Sequence, residues 1–144
     1  MTSNQALQAS SLIGQEVLVK GNIGHIAQQG QGITGVIINE QTAQDTKIMI
    51  QNNQGEVVRT MDIGTQAPGN IQFTWDGTDD NGNALPPGDY AVQVQGQVFG
   101  EATALKTAVN RHVDSVSLAG SGQGVILNLD GDVSLKLDDV IQIG

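Results

Sequence analysis

Phe73-Thr74-Trp75-Asp76-Gly77-Thr78-Asp79-Asp80-Asn81-Gly82-Asn83-Ala84-Leu85-Pro86-Pro87-Gly88-Asp89-Tyr90 is the stretch on which the reading of this chain turns. It begins inside one alternating run, Ile71-Gln72-Phe73-Thr74-Trp75, and ends at the start of another, Tyr90-Ala91-Val92-Gln93-Val94-Gln95. A period of two places alternate side chains on opposite faces of a strand, so Ile71, Phe73 and Trp75 share the face that is buried. Between the runs stand Asp, Asn, Gly and Pro. Each suits a turn for its own reason: Asp and Asn bond their own backbone, Gly takes positive φ, and Pro presets a negative one. Trp75 is therefore expected to seal a sheet core beneath the turn that follows it. Leu85 to Tyr90 suits a tyrosine-corner-like bend, in which the phenol of Tyr90 bonds nearby backbone.

Working outward, Lys47-Ile48-Met49-Ile50-Gln51 alternates in the same way and leads through the turn Asn52-Asn53-Gln54-Gly55 into a strand from Glu56 to Met61. The pair Val57-Val58 leaves the inward register of that strand open. Strands this dense, joined by turns without an intervening helix, predict an all-β sandwich of two sheets. The tail continues in β runs, Val113 to Leu118, Val125 to Leu129 and Val133 to Leu137, with Asp130-Gly131 as a hairpin signal. The head offers Val17-Leu18-Val19 and Asn22 to Ala27, closed by turns at Gly14, Gly21 and Gly30, after a polar lead over residues 1–10 that is flexible or a short helix. Pieces below roughly 40 residues seldom hold a core alone, so the two ends are expected to fold together. This gives one small barrel from 11–34 plus 107–144, with the sandwich, 35–106, inserted in its middle and hinges near Gly30 to Gly35 and Gly100 to Thr107.

Composition narrows the function. Fifteen acidic against six basic residues give a net charge of -9 over 144 residues, which repels a phosphate backbone and excludes nucleic acid as a partner. No apolar run approaches the roughly 20 residues of a membrane span, so no membrane insertion is expected. Cysteine is absent, which removes disulfides, thiolate chemistry and cysteine-zinc sites. Met1 to Ser10 is polar and uncharged, unlike a secretory signal, so export would need another route or an upstream segment.

No catalytic constellation emerges, and no cofactor or metal is implied. Asp76, Asp79, Asp80 and Asn81 crowd one loop, but an EF-hand beginning at Asp76 requires glycine where Asn81 stands, so a plain turn is the better reading. In Gly120-Ser121-Gly122-Gln123-Gly124 the third glycine of a dinucleotide-binding loop would fall at Val125, and a strand follows instead of a helix; a hairpin connection is favoured. Ser121 lacks the first glycine of a nucleophile elbow, because position 119 is Ala. His25 and His112 are the two imidazoles; Asp114 shares a strand face with His112, yet no serine nucleophile motif accompanies them, and surface histidines are expected.

The order apolar strand, W-D-G, Asp/Asn-Gly turn and P-x-G-x-Y over Phe73 to Tyr90 resembles the immunoglobulin-like or fibronectin type III-like domain of the bacterial flagellar hook-capping (hook assembly scaffolding) family, also called basal-body rod modification proteins. Val57-Val58-Arg59-Thr60 with Met61-Asp62-Ile63-Gly64 resembles the strand that the family places before it. Leu12-Ile13-Gly14-Gln15-Glu16-Val17-Leu18-Val19 and Val133-Ser134-Leu135-Lys136-Leu137-Asp138-Asp139-Val140-Ile141-Gln142-Ile143 are similar to the halves of its split, Tudor-like barrel. The resemblance makes Phe73, Trp75, Asp76, Gly77, Gly82, Pro86, Gly88 and Tyr90 a structural signature rather than a reactive one. It implies a non-enzymatic scaffold, exported through the flagellar type III apparatus to the extracellular tip of the growing hook. Its implied partners are copies of itself in a cap, a pentamer by family analogy, the flagellar hook protein and the hook-length-control protein. It further implies an upstream segment, ahead of Met1, associated with export and cap function. A rival reading is a surface adhesive or carbohydrate-binding sandwich, which the shortage of aromatic rings disfavours.

If Trp75 plugs the sandwich, Trp75→Ala costs about 3–5 kcal/mol, a large share of a small domain's stability, and lowers the melting temperature accordingly. An unchanged melting temperature would remove Trp75 from the core.

Overall fold

A computed structural model describes residues 9–118 and 124–143, and these divide into two compact units, Gly21–Val109 and Met1–Lys20 with Asn110–Gly144. Both are built from antiparallel strands. The polar lead over residues 1–10 and the loop Gly120 to Gly124 fall largely outside the described residues.

The Gly21–Val109 unit is a sandwich. In one sheet β3 (Ile33–Asn39) lies between β6 (Gly69–Trp75) and the first residues of β9 (Lys106–Leu118), Ile37 pairing with Ile71 on one side and Thr107 on the other. The second sheet runs β2 (Ile23–Ile26), β7 (Gly88–Val98), β4 (Ala43–Gln51), β5 (Val57–Gln66), and β8 (Glu101–Ala104) joins β7 beyond β2 on the same edge. Alternation decides what faces inward: Ile33, Ile37, Phe73 and Trp75 from the first sheet, and Ile26, Ile48, Ile50, Tyr90, Val92 and Val94 from the second, are buried. Packing between the layers is tight enough that a β-carbon on Gly24 of β2 would lie 2.6 Å from the side chain of Ile33 in β3.

In the other unit β1 (Glu16–Lys20) pairs with β12 (Val140–Ile143), and β10 (Val125–Leu129) lies between β9 and β11 (Val133–Lys136). Its core holds Val17, Val113, Leu127 and Leu129. β9 thus contributes its first residues to the sandwich and its remainder here. Its Arg111 is 4% exposed and donates from Nε to Oδ1 of Asp130 at 2.6 Å and from Nη2 to the carbonyl of the same residue. The ion pair clasps the turn Asp130–Asp132, where Gly131 and Asp132 both take positive φ, 71° and 62°.

The structure departs from the sequence reading in several places. The sequence reading groups residues 11–34 with the tail and begins the sandwich at 35, whereas Ile23–Ile26 pairs with β7 and Ile33–Asn39 with β6, so the chain from Gly21 onward belongs to the Gly21–Val109 unit. Parts of the expected hinges are strand residues, Ile33 to Gly35 in β3, Glu101–Ala104 in β8 and Lys106 with Thr107 in β9, whereas Gly30 to Gly32 and Gly100 lie in connections. Gly35 sits inside β3, where a β-carbon would meet the Phe73 ring at 2.7 Å, and Glu101–Ala104 is paired with β7. Gly35 serves close packing, and Glu101–Ala104 forms one arm of a hairpin. The ambiguity at Val57-Val58 has a physical cause. Ile50 pairs with Arg59 and Gln51 with Val57, so Val58 is the extra residue of a β-bulge that breaks the alternation.

Arg111→Ala leaves the Asp130 carboxylate, 15% exposed, without its cation. A loss of about 3 kcal/mol or more is expected in denaturant unfolding, with part regained in an Arg111→Ala, Asp130→Ala double variant. Parental stability in the single variant would show that the clasp contributes nothing.

Candidate functional site

The segment from Trp75 to Tyr90 is held by its own side chains. Asp76 follows the strand and accepts from the Thr78 backbone N–H at 3.1 Å and from its hydroxyl at 2.6 Å. The hydroxyl bond first, and the backbone bond after it, hold the Asp76 carboxyl below its usual range. Asp79 accepts from the N–H groups of Asn81 and Asn83, both at 2.9 Å, and so closes the tip in which Gly82 takes φ 85°. Leu85 then donates to the Gly77 carbonyl at 2.9 Å, returning the chain to its base.

That base is where the packing is tightest. A β-carbon on Gly77, at φ 83°, would collide with the Gln31 carbonyl, and one on Gly32 with the Trp75 carbonyl. The backbone before β3 and the backbone after β6 therefore touch directly, and glycine is required on each side. Above this contact the Trp75 indole is fully buried, donates from Nε1 to the Thr78 carbonyl at 2.8 Å and meets the Tyr90 ring edge-on at a centroid distance of 5.2 Å. Tyr90 donates its hydroxyl to the Pro86 carbonyl at 2.6 Å, across the bend at Gly88. Phe73 is buried two residues before Trp75, on the same face. The structure thus brings Phe73, Trp75, Asp76, Gly77, Pro86, Gly88 and Tyr90 into one assembly, while Gly82 stands at its tip with open space about it.

The same loop covers a sheet edge. Asp80 donates its N–H to the Val58 carbonyl and accepts from the Thr60 N–H, both at 3.1 Å, on β5. Arg59 reaches over to the Thr78 hydroxyl at 3.0 Å and the Asp79 carbonyl at 3.1 Å. An exposed strand edge is a template for unwanted pairing, and here acidic residues occupy it. The contacts of Gly32 and Arg59 and the covered edge are not legible in the sequence, because each depends on which strand lies beside the loop.

The carboxylates of the loop are thereby engaged with backbone and hydroxyl groups, and among the described residues no group of His, Cys, Asp and Glu is arranged to hold a metal ion. The two histidines each meet one carboxylate, His25 with Asp89 at 2.7 Å and His112 with Asp114 at 2.9 Å. What the chain offers to the outside is surface, including exposed apolar groups at Ile23, Val57 and, most fully, Phe99.

A family model described as the FlgD Ig-like domain matches residues 23–98. The chain is 34% identical, over 98% of its length, to the basal-body rod modification protein FlgD of Escherichia coli (strain K12), and spans 63% of that protein. It is 31% identical over the same share of its length to the protein of that name from Salmonella typhimurium, of which it spans 62%. Among solved structures, FlgD from P. aeruginosa is 32% identical with a TM-score of 0.79, over 92% of this chain and 98% of that one. FlgD from Xanthomonas campestris, described in terms of hook capping essential for flagellar assembly, is 30% identical with a TM-score of 0.81, over 97% and 99%.

Tyr90 is the chain's single tyrosine, and burial pushes its phenol above the ordinary 10.0. The fold favours the neutral phenol, so its contribution to stability is whole below the unfolded pKa and is lost as pH rises through the folded one. Tyrosinate absorbance should therefore appear at higher pH in folded protein than in denaturant. Tyr90→Phe should cost about 1 kcal/mol near neutrality and reduce the alkaline loss of stability. Coincident titration of folded and unfolded protein would contradict the burial.

Proposed function

The chain belongs to the FlgD family, and we propose that it is the folded part of a structural scaffold that caps the distal end of the growing flagellar hook and promotes polymerisation of exported hook subunits beneath it. The observation that carries this reading is the likeness to the Xanthomonas campestris hook-capping structure over 97% of this chain, in a fold whose central loop is spent on architecture. Because the chain spans 63% of the Escherichia coli relative, the activity of the whole protein is part of the proposal.

In this reading the unit made from both chain ends is a Tudor-like barrel into which the sandwich is inserted, and Phe73, Trp75, Asp76, Gly77, Gly82, Pro86, Gly88 and Tyr90 serve the sandwich as its structural signature. The partners are further copies of the chain in a pentameric cap, the hook protein and the hook-length-control protein. The route is the flagellar type III apparatus and the destination the extracellular hook tip. Such work consists of forming and changing interfaces and requires no proton transfer. An adhesive or carbohydrate-binding sandwich would stack sugars on exposed rings, whereas Trp75 and Tyr90 are buried.

Deletion of the gene should release hook monomers into the culture medium instead of polymerising them, with recovery on complementation by the full-length gene. A deletion strain with hooks of normal number and length would refute the scaffold reading.

A further inference from the structure

Val98 pairs with Glu101, so Phe99 and Gly100 alone form the hairpin loop between β7 and β8. Both take positive φ, 52° and 79°, as the primed two-residue turns require. Asn, Asp and Gly usually occupy the first of these positions, because a larger side chain is disfavoured in the left-handed region. Here the residue is Phe99, and it is 87% exposed. The choice costs folding twice, once in backbone conformation and once in apolar surface left in water, and the chain's own packing returns little. Backbone strain held at an exposed aromatic ring is the pattern of a binding residue, which directs attention to a contact outside the chain.

Its surroundings narrow what that contact is. Gln41, Thr42, Gln44, Gln97 and Gly100 line a shallow depression of about 230 Å³ at the foot of Phe99. The adjoining residues Glu40, Asp45 and Glu101 are all exposed, and among the described residues none of the three makes an ion pair. The cations nearest in register are Lys47, further along β4, and Lys106, across from Ile38 on the other sheet. An exposed aromatic ring bordered by polar amides and unpaired acids is complementary to an apolar socket bordered by Lys or Arg.

The geometry points to this end of the sandwich as a docking surface on which Phe99 enters an apolar socket of a partner protein with a basic rim. Two such tips, each bordered by acids, do not pair with each other, and a chain with six basic residues against fifteen acidic ones is poor in groups for a basic rim, so the socket belongs to a different protein. The inference rests on the scaffold reading and adds the surface through which the scaffold grips a different protein.

The test uses the full-length protein in a strain lacking the gene, with Phe99→Asn as the variant because Asn accepts the left-handed backbone. The melting temperature and the secreted amount should equal or exceed the parent's, while hooks per cell fall on the order of tenfold or more, and Phe99→Trp should restore them. A photo-crosslinking residue placed at position 99 should join the chain to a different exported protein. Parental hook numbers with Phe99→Asn, in a background where deletion abolishes hooks, would overturn the docking surface and leave the scaffold reading standing. A crosslink to a second copy alone would overturn the partner assignment. A fall in melting temperature with Phe99→Asn would show that the ring packs within the chain and overturn the inference too. Normal hooks in the deletion strain itself would instead overturn the scaffold reading.

Discussion

Two stretches of backbone, Gln31–Gly32 ahead of β3 and Trp75–Gly77 after β6, lie so close that neither glycine has room for a β-carbon. This contact fixes the end of the first sheet and with it the height at which the Trp75 indole enters the core. Trp75 meets Tyr90 from the opposite sheet, and Tyr90 is tied by its hydroxyl to the Pro86 carbonyl. A close approach of main chains, a buried indole and a hydrogen-bonded phenol thus form one mechanical unit. Loss of any part leaves a cavity, an unpaired polar group or a steric clash in the middle of the sandwich.

Acidic residues in this chain divide by what they touch. Asp76, Asp79 and Asp80 accept hydrogen bonds from the backbone of the loop and of β5, and Asp130 holds the buried Arg111. These carboxylates act as structural fasteners, substituting for backbone partners that turns and strand edges lack. Glu40, Asp45 and Glu101, exposed at the end of the sandwich near Phe99, have no such partner among the described residues. The distinction matters for the proposed scaffold role. Charges already engaged at home are poor recognition elements, whereas unpaired ones select a partner by sign.

The loop between Trp75 and Tyr90 covers part of the β5 edge, while one hairpin carries an apolar ring into solvent. Antiparallel strands with short connections provide stiff platforms, and the loop residues between them are free to carry recognition. The chain has no cysteine, so no disulfide adds to the packing, hydrogen bonds and ion pairing that hold it.

By itself the sequence determined the strand character of residues 71–75 and 90–95, the turn at Asn52 to Gly55, the turn chemistry between Trp75 and Tyr90, and through these the family. Periodicity and turn preference are properties of neighbouring residues, so they survive in a linear reading. Tertiary structure alone decided that Ile23–Ile26 joins β7, that a bulge at Val58 shifts β5, that Gly32 and Gly77 must both be glycine, and that Arg111 clasps Asp130. It also decided that Phe99 stands in water. Each of these depends on which distant segment lies alongside, and that choice is made by the collective burial of two sheets rather than by any local pattern.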